Sequence, residues 1–210
     1  MQITDNSQGR IFKNPILEFF SRNSIRYTAS YYLLIIPILL FLSEKILHPS
    51  FKFTLTLYIA GLLVWSLKEY LLHRYLFHID KYFPALKRFH YIVHGIHHKH
   101  PKDKDRLLMP PLPGTMIAIF LLSFWYIFIG NKSFALMAGV INGYLIYGYI
   151  HYTVHANPKH RLFKRWWRHH ALHHHKFHDK AFGVSTPFWD WVFGTMPTFK
   201  KSHYNVKKNS

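Results

Sequence analysis

Four apolar stretches, at residues 27–47, 53–72, 111–130 and 133–152, constrain what this 210-residue chain can fold into. A helix needs about 20 predominantly apolar residues to cross a hydrocarbon core, and each stretch approaches that length. The third, PLPGTMIAIFLLSFWYIFIG, has no charge and no polar stripe. A surface helix of a soluble bundle would keep a polar face. The turns near 48–52 and 131–132 are very short, so the stretches pair as two helical hairpins. The expected fold class is an all-α membrane protein. Four transmembrane helices would carry a cytoplasmic helical cap built from residues 73–110 and 153–210. Residues 27–210 would form a single domain behind a cytoplasmic segment, 1–26.

Charge supports the same arrangement. Half of the residues are hydrophobic and 19% are aromatic, yet the formal charge is +18. Either a nucleic-acid-binding face or a one-sided membrane protein would explain that combination. With four spans, the N-terminal segment, the connection after the second span and the tail share one side. These carry 23 of the 27 Lys and Arg residues. The positive-inside rule places that side in the cytoplasm, where a basic face also suits anionic headgroups. Neither a helix-turn-helix nor an RNA-binding motif accompanies the charges, so no nucleic-acid partner is expected. With no cysteine, thiolate catalysis, iron–sulfur clusters and disulfides are excluded. The opening MQITDNSQGRIFKNP lacks the apolar core of a signal peptide. An integral, multi-pass protein with both termini in the cytoplasm is expected, in a bacterial inner membrane or the endoplasmic reticulum.

Ten of the 18 histidines form four tight groups on the same face: His73 and His78; His94, His97 and His98; His151 and His155; His170, His173 and His174. Imidazole is the commonest metal ligand. Histidines three or four apart on a helix project to one side. His73 and His78, five apart, would diverge by about 140° on an ideal helix, and converge only if the helix ends or bends between them. Ten ligands exceed what one ion accepts, so two adjacent ions are expected, bridging the two histidine-rich segments. Which histidine serves which ion is left open by the spacing. Neutral imidazoles without thiolates suit iron, zinc or copper. Two redox-active irons at a membrane surface suit the activation of oxygen against an unactivated C–H bond of a lipid chain.

The order H-x4-H, H-x2-H-H, H-x3-H, H-x2-H-H resembles the fatty acid hydroxylase branch of the membrane-bound desaturase and hydroxylase superfamily. KEYLLHRYLFHID, FHYIVHGIHHKHPKDKDRLLMPP, HYTVH and AFGVSTPFWDWVFGT follow the fatty acid 2-hydroxylase pattern in order. The resemblance implies that the ten histidines hold two iron ions, for which zinc substitutes in purified protein. It also implies molecular oxygen as co-substrate and hydroxylation of a long acyl chain at the 2-position, on a fatty acid or a sphingolipid. A sterol or carotenoid oxidase, or a lipid desaturase with the same centre, is the alternative. A non-enzymatic membrane metal-binding protein is the remote one. Many relatives carry an N-terminal haem domain, whereas the first apolar stretch here starts at Tyr27. A separate electron donor is therefore expected: a cytochrome b-type protein, a ferredoxin or a reductase.

Other residues are candidates for supporting roles. Glu69, four before His73, would accept from that ring's distal nitrogen. His90 would stand behind the ligands. Arg106 would fix a headgroup or an acidic partner, and Asp190 would support a ligand imidazole. His169 offers a rival register to His170, which the FGVSTPFWD alignment disfavours. The family usually shows Tyr-Asp just before H-x3-H, whereas this chain has Tyr147 and Gly148. That departure touches substrate and regiochemistry.

Overall fold

The computed structural model describes residues 9–47 and 49–198. His48 in the first short turn, His203 and the tail beyond residue 198 lie outside the described residues. A short helix α1 (Pro15–Phe20) precedes two long ones, α2 (Ile25–Leu47) and α3 (Phe51–Leu71). Helices α4 (Lys87–His90) and α5 (Ile96–Lys99) follow, then the long α6 (Pro111–Ile129) and α7 (Lys132–Ala156). Helices α8 (Lys164–His175) and α9 (Phe188–Val192) complete the cap. Among the described residues there is no strand.

Four helices are long and apolar enough to cross a membrane. Their packing is unequal. Helix α7 is the centre: it packs against α2, α3 and α6, and buries residues along its whole length. Helix α6 buries none. Its Phe120, Ile127 and Phe128 are 70%, 78% and 69% exposed. Left in water, such a face would far exceed the apolar patches soluble monomers tolerate, so the surrounding medium must be hydrocarbon. This accounts for the even apolarity of the third stretch.

The tightest seam runs between α3 and α7, where glycines let the backbones meet. A Cβ on Gly139 would lie 2.0 Å from the Tyr58 carbonyl oxygen, and one on Gly61 2.1 Å from that of Leu136. A Cβ on Gly143 would lie 2.6 Å from Cβ of Trp65. Gly139 and Gly143 form a G-x-x-x-G step, the spacing that brings membrane helices together. That signal is visible in the sequence beside the hydropathy and marks α7 as the helix others pack upon.

The N-terminal segment is tied to the cap. Arg106, buried, donates from Nη1 to Ser21 O at 2.9 Å, from Nη2 to Gly9 O at 3.1 Å, and to the Glu18 carboxylate. Asp103 accepts from Gly9 N at 2.8 Å. Arg106 is thus paired with an acid of the N-terminal segment and not with one beside the clustered histidines.

Candidate metal centre

Between His73 and His78 the backbone of α3 continues as a π-helical turn, Leu72–Phe77. In a π-helix the repeat lengthens toward five residues, so imidazoles five apart come to one side, their rings 5.4 Å apart and nearly parallel. A second π-helical turn, Tyr91–Gly95, carries His94 into α5. These two turns bring ligands together that an ideal helix would spread.

All ten histidines converge, in two groups of five. His73, His78, His94, His98 and His173 form one; His97, His151, His155, His170 and His174 form the other. The partition that the spacing left open divides each triplet between the two groups. Residues four apart stay together: 94 with 98, 151 with 155, 170 with 174. The residue three along crosses over, so that His97 joins the second group and His173 the first. Adjacent positions on a helix point about 100° apart, which sends His97 and His98 to different centres. The two groups abut, the His98 ring stacking on His174 at 4.2 Å.

Every histidine directs Nε2 inward. Within the first group Nε2 of His94 lies 3.0 Å from that of His73 and 2.9 Å from that of His98. His78 and His173 stand 3.0 Å apart. In the second, His170 lies 2.9 Å from His155 and 3.0 Å from His174, and His151 lies 3.1 Å from His97. Three rings have their tautomer set from behind. His73 Nδ1 donates to Phe182 O at 2.5 Å, His151 Nδ1 to Leu107 O at 3.0 Å and His173 Nδ1 to Lys180 O at 2.8 Å. A neutral ring bonded in that way presents a lone pair at Nε2. His94 and His170 each face two neighbouring nitrogens, and one proton cannot serve both. Lone pairs converging like this repel unless a cation lies among them. The spacing fits one: ligand nitrogens about 2.1 Å from an ion and at right angles stand about 3.0 Å apart, against about 3.4 Å in a tetrahedron. Five such donors leave room for one further ligand.

The clustered imidazoles of the two cap triplets are held neutral. Burial first, then the neighbouring rings, holds His94, His97, His98, His170 and His174 well below the usual histidine value. His173 is pushed down to about 4, chiefly by burial. Neutral nitrogen is the form a metal binds.

The supporting residues act at one remove. Glu69 does not accept from His73, as its spacing had suggested. Its carboxylate accepts from Val184 N at 2.7 Å, Ser185 N at 2.8 Å and the Ser185 hydroxyl. Asp190, fully buried, does not touch a clustered imidazole either. It accepts from Phe182 N at 2.9 Å, Gly183 N at 2.8 Å and Thr195 Oγ1 at 2.7 Å, with His169 Nε2 at 3.0 Å. Two buried carboxylates thus pin the loop at residues 182–185, and its Phe182 carbonyl in turn orients His73. The loop follows Ala181, which adopts φ 58°, and it needs Gly183, where a Cβ would lie 2.1 Å from Thr186 O. His169 is spent on Asp190, and His170 takes the inward place. His90 lies outside both groups, its Nδ1 against Phe77 O and 3.3 Å from Asp80 Oδ1. Tyr147 stacks on His151 at 5.3 Å. Trp166 and Trp189 donate their N–H groups to Ser185 O at 2.8 Å and Ser66 Oγ at 3.1 Å.

Fold and site together define a multi-pass helical membrane protein whose histidine groups could each hold a metal ion. The chain belongs to the fatty acid hydroxylase family, whose model matches residues 58–195. The dihydroceramide fatty acyl 2-hydroxylase FAH2 of Arabidopsis thaliana is 40% identical over 67% of this chain and 60% of its own length. The human fatty acid 2-hydroxylase is 36% identical over 72% of this chain and 42% of its own. The chain therefore spans less than two thirds of these relatives' length. The hydroxylase domain visible in a structure of full-length scs7p superposes with a TM-score of 0.82 at 30% identity, covering 89% of this chain and 71% of that one.

Proposed function

We propose that this protein hydroxylates a long acyl chain, at the 2-position of a fatty acid or a sphingolipid acyl group, with one iron ion held by each histidine group. The observation that carries the reading is the pair of abutting five-imidazole groups at the ends of membrane-spanning helices. The hydroxylase names of the relatives support it. Two bound irons would supply the redox chemistry that joins one oxygen atom of dioxygen to a C–H bond and reduces the other to water with two electrons and two protons. A separate electron-donor protein would deliver the electrons, and the basic cap would face the cytoplasm. Zinc binds such imidazole sets more tightly than iron and would replace it in protein purified without added iron.

The chain's own residues would do three things. The ten Nε2 atoms hold the ions, and carbonyls behind His73, His151 and His173 fix three of the rings. Phe77 and Phe182, packed on the first group, exclude water from it. The spans keep the acyl chain in hydrocarbon while its polar head stays at the interface. Mass spectrometry of lipids from cells with and without the chain tests the reading. A gain of one oxygen on amide-linked or free acyl chains is expected, at carbon 2. A loss of two hydrogens would make the protein a desaturase, and unchanged lipids with both ions bound would overturn the proposal.

A further inference from the structure

A groove of about 300 Å³ lies between α2 and α7, within the cap-side half of these two spans. Its walls grade from open to closed. Leu33, Ile146 and Tyr149 at the mouth are 58%, 45% and 57% exposed, toward the surroundings of the spans. Thr28 and Leu108 at the floor are 0% and 8% exposed. The lining is almost wholly apolar, and the volume is that of a small-ligand site. What surrounds the mouth is bilayer, so the occupant of a groove of this chemistry is a lipid acyl chain.

The floor is set beside the second histidine group. Leu107 O accepts from His151 Nδ1, and the next residue, Leu108, closes the groove. Leu108 rests on Gly148, where a Cβ would lie 2.8 Å from its Cδ2. Any side chain at 148 would force Leu108 to shift from this position. Glycine at 148 therefore leaves Leu108 its place at the floor. Leucine side chains exchange among staggered rotamers, so Leu108 can act as a door between groove and histidines.

The geometry points to this groove as the lateral passage for the acyl tail: the tail lies between α2 and α7 and passes Leu108, with the carboxyl end of the chain at the histidines. This rests on the proposed hydroxylase reading and deepens it. It assigns Ala29, Leu108 and Gly148 as residues that touch substrate, and it draws the substrate from the bilayer instead of from water.

Photolabelling tests the passage without requiring turnover. The metal-loaded protein is placed in phosphatidylcholine nanodiscs containing an N-acyl sphingoid lipid with a diazirine on the distal half of its acyl chain. After irradiation, the labelled peptides are mapped. Label is expected on residues 25–33 and 142–149, and it should fall roughly tenfold when unlabelled N-acyl lipid is added at tenfold its dissociation constant. Label on α6 should not respond, since it reports bulk lipid only. Ala29→Trp, which fills the groove, should abolish the competable label while metal content stays at the wild-type level. Label that is not competable in the wild-type protein overturns the passage, and that measurement stands even if the variant fails to fold. Competable label in the groove with no oxygen gained by any lipid would leave the passage standing and remove the hydroxylase reading. Hydroxylation without groove label would do the opposite.

Discussion

Replacing Asp190 by asparagine probes whether the loop at 182–185 truly governs the metal centre. The carboxylate is fully buried and accepts from two backbone N–H groups, at Phe182 and Gly183. Asparagine keeps its shape and supplies only one carbonyl oxygen. Whichever way the amide turns, one of those N–H groups meets an NH2 and stays buried without an acceptor, which costs about 1–3 kcal/mol. The surviving bonds become neutral, losing about 1 kcal/mol each relative to bonds with a carboxylate. The total is about 3–5 kcal/mol, a large part of a domain's net stability. The strain falls on the loop that supplies the acceptor for His73, and on Lys180 just before it, which supplies the acceptor for His173. Both rings belong to the first group. Loss of such outer support lowers metal affinity roughly 10- to 100-fold. The expected result is that Asp190→Asn loses the first ion at lower chelator concentration while the second is retained as in the wild type. Dialysis of detergent-solubilised protein against graded chelator, with metal counted by mass spectrometry, measures this. Equal loss of both ions, or no loss, would refute the role assigned to the loop.

Three further outcomes are expected. His97→Ala and His173→Ala should each halve the bound metal and the double variant should remove it, because the two rings serve opposite groups; a single variant that empties both sites contradicts this partition. Gly139→Leu should lower the melting temperature of the solubilised protein by the equivalent of about 1–3 kcal/mol or more through overpacking, since even a Cβ there meets Tyr58 O at 2.0 Å; an unchanged melt would show that the α3–α7 seam is not close. Ala181→Val should cost about 1–3 kcal/mol, because a β-branched residue is poorly accommodated at φ 58°; a thermal melt checks it, and tolerance of valine would mean the loop has another conformation available.

The parts of this molecule legible in its sequence are those encoded by local period. Helix-length apolar runs set out the spans, and the clean run at 111–130 is, of the four, the span with no buried residue. Histidine spacing singled out ten residues that the fold brings together, with His170 in the inward place and His169 outside it. The assignment of rings to two groups was not legible, because it depends on where each helix axis points. His97 and His98 are neighbours in sequence and part company in space, while His73 and His173 meet across one hundred residues. The π-helical turn that reconciles His73 with His78 could be anticipated only as some departure from ideal geometry.

Glu69 shows most clearly why local reasoning stops short. Its place one turn before His73 suggests a direct hydrogen bond, yet a carboxylate four residues away on the same helix shares a face with the ring without reaching around to its outer nitrogen. That nitrogen needs an acceptor standing behind the ring, away from α3. The tail supplies it: Phe182 O lies there because Glu69 and Asp190 hold the flanking N–H groups of the same loop. One backbone segment, more than a hundred residues downstream, therefore converts two carboxylates that touch no clustered imidazole into the fixed orientation of one. The same long-range logic joins the membrane to the site at the second group, where Leu107 orients His151 and Leu108 closes the groove. Ligand orientation and hydrocarbon access meet at consecutive residues, so a movement of the 107–108 backbone must alter both together.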